Sequence, residues 1–399
     1  MQMMRYAEEG SIRFLWVTGT NPAVSLPELD RVRGVLTQER LFLVVQDIFL
    51  SETAQLADVV LPAATWGEKT GTFTNADRTV HLSEKAVEPP GDARADLDIL
   101  IDFAHRLELE DKDGAPLVKW SDAEGAFEGW KECSRGRPCD YSGLTYDKLR
   151  GGSGIQWPCT EENPDGTERI YVDGQFWAQP DYCESYGRDL VTGAPADADE
   201  YRALNPAGRA VLKAAEYLPP HELPSVDYPF QLITGRTLYH FHTRTKTGRA
   251  PQLNSAAPEV WVEMAVSDAA DRGFDEGDLI EISTPRGRVR ARLRISGIRP
   301  GVAFLPFHYG YWDTPAGHEP AKDGGRAANE LTITDWDPIS KQPLFKTAAA
   351  QVRRIARGDG EPAPAPTTTA SAPVAGSAPP TRGGPDADVE ERLGGGSTS

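Results

Sequence analysis

The residues able to do chemistry are scattered along the chain, and few of them form a self-sufficient pattern. His240 and His242 sit two apart on a segment that reads as a strand, so they would share a face, as half of a metal site does. No third ligand is in view, and no metal site is expected from them. Cys133, Cys139, Cys159 and Cys183 form no C-x-x-C pair, and their spacing fits neither zinc nor an iron–sulfur cluster. They read as ordinary thiols. His308, within Phe307-His308-Tyr309-Gly310, is either a residue lining a ligand site or a packed strand histidine. Asn21 and Asp47 follow apolar runs that read as strands, and open α/β sheets bind ligands at the carboxyl ends of their strands. By residue type alone Asp47 also reads as a helix cap, Asp96 as the N-cap of a helix near Leu97 to Leu107, and Lys69 as a solvated lysine.

The elements that must hold these residues fall into four stretches. Residues 1–109 alternate strand and helix signals: Ile12 to Val17, a helix near Leu26 to Leu36 with Ser25 as its N-cap, Leu41 to Val45, and Ala57 to Leu61 stopped by Pro62. A β-α-β-α-β order implies a parallel sheet with helices on its faces. Residues 110–227 are rich in Gly, Pro, Trp and Asp with poor periodicity, and read as an irregular insertion or part of a split domain. Residues 228–356 read as β. Phe230 to Thr234 and Gly301 to Phe307 are strands, and Asp278 to Ser283, the turn Thr284-Pro285-Arg286-Gly287, and Arg288 to Ile295 form a hairpin. In its second arm Val289, Ala291, Leu293 and Ile295 alternate with Arg288, Arg290, Arg292 and Arg294, with Glu281 placed to pair across. The arginine row reads as a solvated face or as a surface for a partner domain. Many short strands with Gly and Pro turns suggest a barrel. Residues 357–399 turn to Pro, Ala, Thr, Ser and Gly, a composition that predicts a disordered tail.

Composition narrows the function. The chain has 399 residues, 39% hydrophobic and 26% charged, long enough for two or three globular domains. Its formal net charge of −18 argues against nucleic acid, which needs a basic footprint. No run approaches the roughly 18 apolar residues of a membrane span. Met1 to Gly10 carries Arg5, Glu8 and Glu9 and no apolar core, so no secretory signal is expected and the protein reads as cytoplasmic.

Two long stretches resemble the molybdopterin oxidoreductase family (the dimethyl sulfoxide reductase superfamily). The first centres on Leu61-Pro62-Ala63-Ala64-Thr65-Trp66-Gly67-Glu68-Lys69-Thr70-Gly71 and continues through Asn75, Asp77 and Arg78 to Pro89-Pro90-Gly91, Arg94 and Asp96. The second contains Thr234-Gly235-Arg236, His240-Phe241-His242-Thr243, Thr247-Gly248-Arg249, Asn329-Glu330-Leu331-Thr332 and Asp337-Pro338-Ile339-Ser340-Lys341-Gln342-Pro343. The resemblance implies a molybdenum bis(molybdopterin guanine dinucleotide) cofactor, an α/β domain for the first stretch and a dinucleotide-binding double-psi β-barrel for the second. By position it implies cofactor contacts at Asn21, Gln46, Asp47, Lys69 and Asp96. In the barrel it implies Thr234, Gly235, Arg236, Thr237, Leu238, His240, His242, Thr243, Asn329 and Lys346. The chemistry agrees with that role. A carboxylate, Asp47 or Asp96, can accept both donors on guanine's edge. Lys69 suits pyrophosphate, Gly235 would let backbone approach a ligand, and Asn329 matches the mixed edge of a pterin.

The family pattern is partial. No cysteine cluster for a four-iron centre and no candidate for the metal's own ligand occur here, so both are expected in a missing N-terminal region. The chain therefore reads as a fragment, a split subunit or a non-catalytic descendant, inactive alone, whose partner is the missing half or an electron-transfer protein. Within the family, Ser340-Lys341-Gln342-Pro343 with Phe345-Lys346, Tyr146 to Leu149, and Gly154-Ile155-Gln156-Trp157-Pro158-Cys159 favour the nitrate reductase branch over formate dehydrogenase.

Overall fold

A computed structural model describes residues 2–170, 172, 217–315, 318–337 and 342–358. The tail beyond Gly358, Pro338-Ile339-Ser340-Lys341 and all of residues 173–216, Cys183 among them, lie outside the described residues.

The first lobe is a small parallel sheet built as the alternating signals predict. Strands β1 (Phe14–Thr18), β2 (Phe42–Asp47) and β3 (Val59–Pro62) lie in the order β1-β2-β3, all parallel. Leu15, Val17, Leu43 and Val45 alternate onto one face and pack against helix α1 (Gln2–Glu9) and the helix after β1. That helix differs from the sequence expectation. Pro22 opens a single turn, α2 (Pro22–Ser25), and the longer α3 (Leu29–Leu36) starts only after it. The break has a steric cause. Leu26 precedes Pro27, whose ring disfavours the helical region for the residue before it, and Leu26 stands extended at ψ 154°. Ser25 therefore ends one turn of helix instead of capping the next.

After β3 the chain makes an antiparallel hairpin, β4 (Gly71–Thr74) and β5 (Thr79–Ser83), then helix α4 (Asp96–Arg106). The described part of the middle stretch is mostly loop and turn, but it has its own small core. Helix α5 (Ala123–Ser134) and the short α6 (Tyr146–Leu149) bring Phe127, Tyr141, Leu144, Tyr146, Leu149 and Cys159 onto Val80 of the hairpin. Strand β6 (Ile155–Gln156) completes that three-stranded sheet.

The second lobe is a closed six-stranded barrel. Its strands are β7 (Phe230–Gly235), β8 (Trp261–Ala265), β9 (Leu279–Thr284), β10 (Gly287–Ser296), β11 (Val302–Pro306) and β12 (Thr347–Ala356), closed in the order β10-β8-β11-β7-β12-β9. The predicted hairpin is β9–β10, and Arg290 stands opposite Glu281. Val289, Ala291 and Leu293 fill the barrel with Leu232, Val262, Met264, Ile280, Ile282, Leu305 and Val352, while Arg288, Arg292 and Arg294 are exposed. Glu281 pairs with Arg353 at 2.9 Å and Arg290 at 3.6 Å, so the arginine face is partly neutralised by the sheet's own acid.

Buried polar contacts join the lobes. Arg33 of α3 makes a two-pronged ion pair with Glu330 (2.8 and 2.9 Å), to which the Tyr311 hydroxyl also donates at 2.7 Å. Glu52, after β2, accepts from the Asn21 side chain at 2.8 Å and from the backbone N–H groups of Tyr311 and Trp312. A buried carboxylate served by three donors is costly to break, so these contacts fix how the strand ends of one lobe face the barrel.

Candidate functional site

The carboxyl ends of β1 and β2 open onto a cleft of about 540 Å³, closed on its other side by the loop after β7 and by the segment leading into β12. Asn21 and Asp47 line it from the sheet; Arg236, His242, Thr243, Asn329 and Lys346 line it from the barrel. Seven of the sequence-predicted positions, from parts of the chain far apart, thus meet at one place.

The charges in this cleft are the informative part. Lys346 Nζ lies 4.3 Å from the centre of the Phe307 ring and the Arg236 guanidinium carbon 5.6 Å from it. Two cations share one aromatic platform, and neither has a carboxylate within ion-pair distance among the described residues. Burial, with Arg236 nearby, pushes the Lys346 ammonium below its ordinary range. Asp47 accepts from the Ile48 N–H at 2.7 Å and the Ser51 hydroxyl at 3.3 Å, which leaves lone pairs on both oxygens. Burial raises its pKa above the usual aspartate value, against the lowering effect of those two contacts, of the Phe49 backbone and of the nearby Lys246 charge. The buried Thr237 hydroxyl has no partner. Unpaired cations and a carboxylate with spare acceptor capacity form the set that a nucleotide diphosphate needs: positive charge for phosphate, an acceptor for a base edge. The residues present fit the dinucleotide arm of a molybdopterin cofactor.

Several predicted contacts have other occupations. The Asn21 side chain donates to Glu52 and Thr243 (3.3 Å) and accepts from Thr53, so its polar atoms tie the lobes together. Asn329 donates to the Val24 carbonyl at 2.9 Å and accepts from the Thr332 hydroxyl at 3.1 Å. Thr234 donates to the Phe345 carbonyl at 3.0 Å, which holds β7 beside Lys346. A side chain at Gly235 would come within 2.6 Å of the Phe304 ring on the neighbouring strand, so its small size makes room for that ring. Leu238 is 89% exposed and lies outside the cleft lining.

The two histidines read as strand neighbours lie instead in the loop after β7, and they do not share a face. His240 is buried, with Nδ1 2.9 Å from the Thr247 hydroxyl and Nε2 2.7 Å from the Ala257 carbonyl. His242 is exposed in the cleft at φ 48°. Among the described residues no three His, Cys, Asp or Glu side chains converge as a metal site.

Gln46, Lys69 and Asp96 gather elsewhere. Side chains alternate along β2, so Gln46 points away from the Asp47 face and donates to Asp96 Oδ1 at 2.7 Å. Lys69 pairs with the other Asp96 oxygen. Asp96 is the first residue of α4 rather than its cap, and Ala95 takes the cap position. Lys69 and Asp96 line a second, wider cleft of about 1080 Å³ that Phe73, Trp130 and Tyr141 share. Gln46 Oε1 is buried without a partner.

Sequence reasoning gave no role to Glu52, Glu330, Phe307 or Lys246, the last of which lines the cleft near Asp47. The acids gave no signal, because an isolated acid in a loop reads as solvated until its donors, hundreds of residues away, are known. Phe307 was visible only as the end of an apolar strand.

Comparison with known proteins agrees with this geometry. A family model described as molybdopterin oxidoreductase matches residues 1–106, and one described as a molybdopterin dinucleotide binding domain matches residues 230–349. A formate dehydrogenase alpha subunit of Methanocaldococcus jannaschii is 37% identical over 86% of this chain and 44% of its own length. A nitrate reductase of Symbiobacterium thermophilum is 35% identical over 89% of this chain and 43% of its own length. Acetylene hydratase from Pelobacter acetylenicus shares the fold, with a TM-score of 0.61 at 17% identity, over 88% of this chain and 46% of that one. The chain thus spans less than half the length of the relatives it matches. No helix among the described residues is long and apolar enough to cross a membrane. With both family models falling on the two lobes that form the cleft, the chain belongs to the molybdopterin oxidoreductase family of pterin dinucleotide-binding molybdoenzymes.

Proposed function

We propose that the cleft between the lobes holds the guanine dinucleotide arm of a molybdopterin cofactor, in a chain that forms part of a nitrate reductase-like oxidoreductase. The observation that carries this reading is the Arg236–Lys346 pair: two cations lining the cleft over Phe307 with no acid partner among the described residues, in a chain of net charge −18. Two like charges held side by side attract an anion, and the lowered pKa of Lys346 reports its partial burial together with their mutual repulsion. Arg236 and Lys346 bind the pyrophosphate. Asp47, across the cleft, accepts the N1–H and amino hydrogens of guanine. Phe307 and Phe345 keep water from the phosphate side. The second cleft, with Lys69 and Asp96, faces the pterin portion. The bound cofactor supplies a redox-active metal for two-electron chemistry on the substrate.

The nitrate assignment rests on the stretches Tyr146 to Leu149 and Gly154 to Cys159 and on Ser340-Lys341-Gln342-Pro343 with Phe345-Lys346. A formate dehydrogenase-like activity is the second reading, supported by the 37% identity to a formate dehydrogenase subunit. In either case a four-iron cluster and the metal's protein ligand come from polypeptide outside this sequence, and turnover requires it. The test is nucleotide content. Protein purified from molybdenum-replete cells releases guanine nucleotide on acid hydrolysis, and the Arg236→Ala/Lys346→Ala variant, equally folded, releases little. Full nucleotide retention by that variant would sink the assignment. Viologen-linked turnover of nitrate and of formate, with and without the complementary polypeptide, separates the two activities.

A further inference from the structure

His308 uses both ring nitrogens on a single loop. Its Nε2 accepts the Thr237 backbone N–H at 2.9 Å, and its Nδ1–H donates to the His242 carbonyl at 2.7 Å. The ring is fully buried, at the end of β11 and next to Phe307. The segment it bridges leaves the barrel at Gly235 and carries Arg236, Phe241 and His242 into the cleft. Local backbone geometry does not favour that path, since His242 (φ 48°) and Arg244 (φ 63°) both stand in the left-handed region. Other pins are Phe307 N–H to the Gly235 carbonyl and Arg244 N–H to the Phe241 carbonyl at the two ends, and between them the buried His240 ring, held by Thr247 and the Ala257 carbonyl.

We infer that His308 is a positioning residue for the cleft: as the neutral Nδ1–H tautomer, it clamps residues 237–242 in the shape that presents Arg236, Phe241 and His242 to a ligand. The functional consequence rests on the nucleotide reading above, but the clamp itself does not. Only the neutral ring satisfies both partners. A protonated ring would set Nε2–H against the Thr237 N–H, donor against donor. The environment favours neutrality. Burial holds His308 below its ordinary value of 6.5, and His240, Arg236 and His242 around it push the same way, while the His242 carbonyl opposes them. The clamp is therefore intact at neutral pH and is released only in acid.

The test compares the 399-residue chain with His308→Phe, His308→Gln and His308→Asn. Two quantities are read: amide hydrogen exchange of residues 237–244, and affinity for guanosine diphosphate across about pH 5.5 to 8. We expect His308→Phe to exchange this segment about tenfold faster with β2 and β9–β10 unchanged, and to bind the nucleotide about tenfold more weakly. His308→Gln, whose amide oxygen can take the Thr237 N–H, recovers part of both; His308→Asn, which can reach only the His242 carbonyl, protects that end alone. Wild-type affinity falls in acid by a component that His308→Gln lacks. Unchanged exchange in folded variants, or the same acid profile with and without the imidazole, overturns the inference. If His308→Phe does not fold, the two amide variants decide by the same criteria. A wild-type chain that binds no guanosine diphosphate, yet loosens the loop on substitution, refutes the nucleotide reading and leaves the clamp standing.

Discussion

Asp47 and Asp96 are both acids beside the end of β2, yet the molecule treats them in opposite ways. Asp96 has each oxygen engaged, one by Gln46 and one by Lys69. Asp47 is half-buried with two neutral donors, no cation in ion-pair contact, and a raised pKa. The same contrast separates the barrel's outer arginines, which find Glu281, Asp278 or backbone carbonyls, from Arg236 and Lys346, which share an aromatic ring and no acid. Charges that pair internally support the fold. Charges left open in a concave site at a cost to stability point to a ligand.

The largest effect expected from breaking this contrast lies on the paired side. Arg244 is fully buried between the Tyr309 and Trp312 rings and binds Asp313 and Asn254 (2.8 Å). Arg244→Met leaves Asp313 with one arginine fewer and should cost about 3 kcal/mol, read by urea denaturation. A loss under about 1 kcal/mol would mean the network contributes little. Next comes Asp96→Ala. It strips Lys69 of its partner and leaves the buried Gln46 amide only its long bond (3.4 Å) to the carbonyl of residue 96, so a loss of about 2 kcal/mol is expected. Asp47→Asn should do the reverse. Its raised pKa means the ionised form is disfavoured in the folded state, so stability falls as pH rises from the ordinary value of 3.8 through the folded one. At neutral pH the neutral amide should be equally stable or slightly more so, while guanine nucleotide binds about tenfold more weakly. Should Asp47→Asn unfold the protein while Asp96→Ala spares it, the contrast is inverted and the site assignment fails.

The smallest effect is the pH dependence of the buried histidines. His240 and His308 both have lowered pKa values, burial being the first cause in each. The unfolded chain then binds more protons than the native one between the folded values and about 6.5. Stability should be flat above that range and decline as pH falls through it. Unfolding midpoints in denaturant at about pH 7.5 and 5.5 check the sign, and His308→Gln should flatten part of the slope.

Much of this was legible in the sequence. Period-two alternation in Arg288 to Ile295 predicts which residues fill the barrel, because a strand's side chains must alternate whatever it packs against. The apolar runs ending at Asn21 and Asp47 predict the parallel sheet and the edge onto which the cleft opens, and spaced motifs predict the family. The misreadings are equally physical. His240 and His242 follow a strand so closely that the alternation seemed to continue, but the chain leaves the barrel at Gly235 and turns through a left-handed residue.

Sequence by itself determined what each segment can be: strand or helix, buried or solvated, and the kinds of group available. It could not say which groups are already used. Whether a carboxylate is free depends on donors brought beside it by folding. Gln46 and Lys69 reach Asp96 across 50 and 27 residues, and Glu52 meets Tyr311 across 259. Hydrogen bonds and ion pairs act over a few ångströms, so only the tertiary structure decided that Asp96 is held in the fold while Asp47, Arg236 and Lys346 stand open in a single cleft.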